Sequence, residues 1–139
     1  GRDIENGLED VVSVFEAVLK IITIKHLANN GMSHDEISKR LEKIRNSYQN
    51  INSAGETFHA QTGLDLFHNT SQDEVETLRT IFEKRHPLTH NLGVVDKKYL
   101  ERVRTGDTEG REIRVTAQEV EIAIGISKKI ISSVYNLCT

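Results

Sequence analysis

The 139 residues are 37% hydrophobic and 28% charged, with no tryptophan, one cysteine and a net charge of −3. That balance describes one globular domain with a core of Ile, Leu and Val, and it argues against an unselective binder of nucleic acid. A lone cysteine, Cys138, excludes an internal disulfide and fits a reducing, cytoplasmic setting.

The pattern predicts a first helix from residue 3 to about residue 29. Ile4, Leu8, Val11, Val12, Phe15, Val18, Leu19, Ile22 and Leu27 recur at three- and four-residue spacing. Ile21 and Ile24 widen this stripe beyond one face, as in a central helix or one that also meets a second subunit. Glu16, Lys20 and Lys25 break the run, so it is no membrane span. Asn29-Asn30-Gly31 ends the helix. Ser33 to Glu36 reads as a capping box opening a second helix to about Asn50, with Ile37, Leu41, Ile44 and Tyr48 facing inward. The short turn between the two predicts antiparallel packing.

A short third helix is expected over Ser53–Gln61, ended by Gly63. A loop follows to Ser71, with Leu64, Leu66 and Phe67 plugging the core. Ser71 with Glu74, or Thr70 with Asp73, caps a fourth helix running to Lys84, whose apolar face is Val75, Leu78, Ile81 and Phe82. Asp96 is expected to cap a short helix to about Val103, with Tyr99, Leu100 and Val103 facing in. Residues 105–115 suggest a small hairpin. Thr116 with Glu119 caps a last helix to about Leu137, with Val120, Ile124, Ile130, Ile131, Val134 and Leu137 buried. No repeat or low-complexity segment is present. The expected fold is an all-α, up-and-down bundle of four to five helices in a single domain over residues 1–139. Because the sequence opens on Gly1, that domain is expected to be part of a longer protein.

Reactive groups concentrate in Arg85-His86-Pro87-Leu88-Thr89-His90-Asn91, which holds two of the six histidines and the only proline. Arginine suits phosphate oxygens, and histidine can move a proton near neutral pH. On a regular helix Arg85 and His90 would stand about 140° apart, whereas His86 and His90 share a face. Pro87 removes a backbone donor and biases His86 from helical angles. A kink there could join Arg85 to His90; alternatively, two copies could meet at a dimer axis. Residues 79–104 carry seven basic and three acidic side chains, against seven and thirteen in residues 1–78. This makes a local positive footprint on an acidic chain. His86 and His90 have the spacing of a zinc pair but lack the accompanying glutamate, and His26, His34, His59 and His68 lack ligand partners at suitable spacing. No metal or other cofactor is expected.

Arg85, four residues and His90 resemble the R-x4-6-H signature of the HEPN superfamily, the all-α domains of many metal-independent ribonucleases. The continuation from His90 through Asp96, Lys97, Lys98 and Tyr99 to Leu100 is similar to a stretch in prokaryotic HEPN proteins of defence and stress systems. The resemblance implies an RNA endonuclease, toxin or defence effector, acting as a homodimer whose Arg85 and His90 line one cleft. His90 would do acid/base work and Arg85 would hold the scissile phosphate. His86, Asn91, Lys84, Lys97 and Lys98 would support the site or bind substrate, and Pro87, Asp96 and Tyr99 would shape its surroundings. A non-catalytic HEPN-type binding or dimerisation module is the alternative. In one toxin branch a tyrosine stands two residues after the histidine; Leu92 occupies that position here.

Overall fold

The computed structural model describes residues 2–85 and 115–138, and among these every regular element is helical. The helices are α1 (Arg2–Asn29), α2 (His34–Ile44), a 3-10 turn (Ser47–Gln49), α3 (Ile51–Thr62), α4 (Gln72–Glu83) and α5 (Ala117–Cys138). The all-α bundle expected from the spacing is therefore the architecture found. None of these helices is long and apolar enough to cross a membrane. Expectations for residues 86–114, including the helix after Asp96 and most of the hairpin, lie outside the described residues.

Pairwise contacts give the directions. A methyl built on Gly7 would stand 3.6 Å from Val120 Cγ1, and Asn29 Nδ2 donates to the Cys138 carbonyl at 3.4 Å. The two long helices, α1 and α5, thus run parallel, start beside start and end beside end. Lys84 Nζ donates to Glu119 Oε2 at 2.7 Å and Lys129 Nζ to Glu74 Oε1 at 2.9 Å, so α4 runs against α5. Asn50, at the head of α3, meets Glu83, at the tail of α4, at 2.6 Å, which sets α3 against α4. Leu8, Val12, Phe15, Leu19 and Ile22 of α1 form the spine of one core with Phe58, Leu78, Phe82, Ile130 and Val134. The Phe15 and Phe82 rings pack edge to face, with centroids 5.5 Å apart. Leu66 is fully buried, the plug expected of its loop.

Three differences from the spacing have physical causes. The second helix stops at Ile44 rather than Asn50, because Arg45 takes φ 46°. The 3-10 turn then swings Tyr48 into the core, where its hydroxyl lies 2.8 Å from that of Thr23. Asn50 becomes the N-cap of a new helix by accepting from the Ser53 N–H at 3.1 Å. At Ser33 only half the capping box forms: Ser33 accepts from the Glu36 N–H, while the Glu36 carboxylate pairs with Arg40. Both halves are present at Ser71/Glu74 and at Thr116/Glu119. Finally, Ile124 and Leu137, expected in the core, are 39% and 54% exposed, because α5 carries apolar side chains beyond its core-facing stripe.

Candidate functional site

α4 delivers Arg85 to the surface just past its last turn, and Arg85 is the last described residue before the remainder of the motif. Its side chain is half-buried, and Nη2 donates to Gln49 Oε1 at 3.1 Å. The Gln49 amide nitrogen donates in turn to both Glu16 carboxylate oxygens, each at 3.1 Å. Lys20, one turn along α1, stands 3.6 Å from the same carboxylate. The 3-10 turn is what makes this possible. It aims Tyr48 inward and leaves Gln49 between α1 and the end of α4. The bond to the Gln49 side-chain carbonyl fixes one edge of the planar guanidinium.

Glu83, two residues before Arg85, is 4% exposed and accepts from the Asn50 side chain. Arg79, one turn earlier on α4, adds favourable charge. The Arg79 guanidinium is pushed up by its hydrogen bond to Glu76, against some burial, and by the nearby charges of Glu76 and Glu83. A buried carboxylate is tolerated only with such partners. Lys84, expected near substrate, has its ammonium on Glu119, with only 14% of its side chain exposed. In this structure it ties α4 to α5.

His86, Pro87, His90, Asn91, Asp96, Lys97, Lys98 and Tyr99 lie outside the described residues. The structure therefore places one member of the expected pair, Arg85. Sequence reasoning missed the pair that orients it, Gln49 and Glu16. The signal that could have found it is a glutamine in a turn directly after an inward-facing tyrosine; the partners themselves are remote in the chain. No group of three or more potential metal ligands occurs among the described residues.

The opposite flank of α1 has another character. Val14 and Glu16, two residues apart, point to opposite sides of the helix. On the Val14 side, α1 and α5 enclose an apolar groove of about 410 Å³ lined by Gly7, Val11, Val14, Val120, Ile124 and Ile131, with Asp10 and Lys128 at its edges.

No family model matches the chain, and neither the curated proteins nor the solved structures yield a match.

Proposed function

We propose that the protein is a metal-independent endoribonuclease of the HEPN type, cleaving single-stranded RNA as a toxin or defence effector. The observation that carries this reading is Arg85. It opens the Arg-x4-His motif at the end of α4, with its guanidinium oriented by Gln49 and Gln49 fixed by Glu16. Orientation matters because a planar guanidinium reads a phosphate through two parallel bonds.

RNA supplies its own nucleophile, the 2′-hydroxyl. In the proposed reaction the 2′-oxygen forms a bond to phosphorus and the bond from phosphorus to the 5′-oxygen breaks. His90 takes the proton from the 2′-hydroxyl or gives one to the departing 5′-oxygen. Arg85 holds the scissile phosphate and stabilises charge growing on its free oxygens. The products are a 2′,3′-cyclic phosphate and a 5′-hydroxyl. His86, Asn91, Lys97 and Lys98 are the candidates to line the substrate path. Arg85 and His90 join either within one chain through the Pro87 kink or between two chains. Single-stranded RNA should be cut in EDTA to those ends, and DNA of the same sequence should survive. A requirement for divalent metal, or cleavage of the DNA, would contradict the mechanism.

The second reading is a non-catalytic binding or dimerisation module of a larger protein. The apolar groove between α1 and α5 favours it, since such a surface suits a protein neighbour.

A further inference from the structure

We propose that Glu16 is a positioning residue of the phosphate site, acting at one remove: it dictates which end of the Gln49 amide faces Arg85. This rests on the reading of Arg85 as the arginine that holds the scissile phosphate. A glutamine side chain has an oxygen that accepts and a nitrogen that donates, and half a turn about its last bond exchanges the two. At Gln49 both neighbours decide the sense. Arg85 Nη2 can only donate, and it sits 3.1 Å from Gln49 Oε1. The Glu16 carboxylate accepts, and both its oxygens lie 3.1 Å from Gln49 Nε2. A reversed amide would set nitrogen against guanidinium and oxygen against carboxylate, losing the bonds at both ends together.

The supports of this relay are fixed. Glu16 follows the buried Phe15 on α1, and Gln49 follows the buried Tyr48. The Gln49 backbone N–H donates to the Asn46 carbonyl at 3.0 Å, and Ser53 Oγ donates to the Ser47 carbonyl at 2.9 Å. Only 18% of the Glu16 side chain is exposed, and Lys20 stands 3.6 Å from its Oε2. A carboxylate beside an anion site ordinarily opposes it, because it repels phosphate. The relay reverses that sign. Glu16 sets the arginine in place, so its removal costs turnover even though the surface becomes more positive.

Two measurements test this on the whole chain, with helical circular dichroism and melting recorded for each variant. The first is cleavage of single-stranded RNA by the wild type, by Glu16→Gln, which can donate or accept at this point, and by Glu16→Lys, which can only donate. The kcat should fall about tenfold in the first variant and about a hundredfold in the second, with KM unchanged or lower, since the arginine is misplaced while charge favours RNA. An unchanged or raised kcat, the result of charge alone, would overturn the proposal, as would a loss confined to KM. The second measurement needs no cleavage: the side-chain ¹⁵N–¹H NMR signals of Arg85, assigned by their absence from Arg85→Lys. Slowly rotating Nη–H signals should be resolved in the wild type and lost in Glu16→Lys. Adding Gln49→Glu to Glu16→Lys should bring them back, because the lysine then donates to a carboxylate that accepts from Arg85. Wild-type signals that are not resolved, signals that survive Glu16→Lys, or a double variant that fails to restore them would overturn the relay. A wild type that cuts no RNA but shows the lost and restored signals would sink the ribonuclease reading and leave the relay standing.

Discussion

Tyr48 shows how one residue fixes the surroundings of the candidate site. Its side chain is fully buried, and its hydroxyl shares a 2.8 Å hydrogen bond with Thr23, which also donates to the Leu19 carbonyl. Burial pushes the Tyr48 phenol up from its ordinary value, only partly offset by the Thr23 bond. Tyr48→Phe should cost about 1 kcal/mol in denaturant unfolding, the worth of one buried hydrogen bond. It should also loosen Gln49, the neighbour that holds Arg85. Arg45, with φ 46° and ψ −116°, carries the strain of the same turn. Arg45→Gly should stabilise the protein by about 1 kcal/mol, because glycine adopts positive φ without clash. A loss of stability would show that the Arg45 side chain outweighs its backbone strain. The sequence made Arg85 conspicuous, since it concentrates with histidine, proline and asparagine. It gave no comparable sign of Gln49 or Glu16, because an orienting hydrogen bond between distant segments leaves no spacing to read.

Among the elements, α4 matters most, since it carries the motif's arginine and ties to α3 and α5. Its capping box and the Lys129–Glu74 pair both require an ionised Glu74. The Glu74 carboxyl is held below the usual range by the Ser71 backbone N–H first, then by Lys129. A depressed folded pKa means that this stabilisation is complete above the ordinary carboxylate value of about 4.3. It is lost as pH falls through the lower, folded value. Glu74→Gln should therefore flatten the acid limb of the stability curve, measured as melting temperature against pH, and change the alkaline side little. An unaltered acid limb would show that the carboxylate contributes nothing there. α4 was legible in advance because Ser71 and Glu74 form a recognised start signal and the stripe from Val75 to Phe82 is regular. The end of α2 was not. Ile37, Leu41, Ile44 and Tyr48 keep helical spacing across the break, and periodicity reports which face a residue shares, not whether the backbone between stays helical. Ile124 and Leu137 misled for a related reason: an apolar residue next to the core stripe can equally belong to an exposed face.

At the scale of the molecule, the two sides of α1 divide the work. One side, through Glu16 and Gln49, braces the arginine of the motif; the other forms half of an apolar groove. The all-α class was readable because helix starts, stops and stripes agreed along most of the chain. The parallel pairing of α1 with α5 was not, since it joins the first and last helices and no local pattern records it. The central claim is chemical, and one comparison tests it most directly. Wild-type protein and His90→Ala are assayed side by side for cleavage of single-stranded RNA in EDTA, with thermal melting of both. The account predicts cleavage to a 2′,3′-cyclic phosphate by the wild type and a loss of at least a hundredfold in the variant, at an unchanged melting temperature. Equal cleavage by both proteins, or a His90→Ala variant that loses its fold along with its activity, would contradict the role assigned to His90.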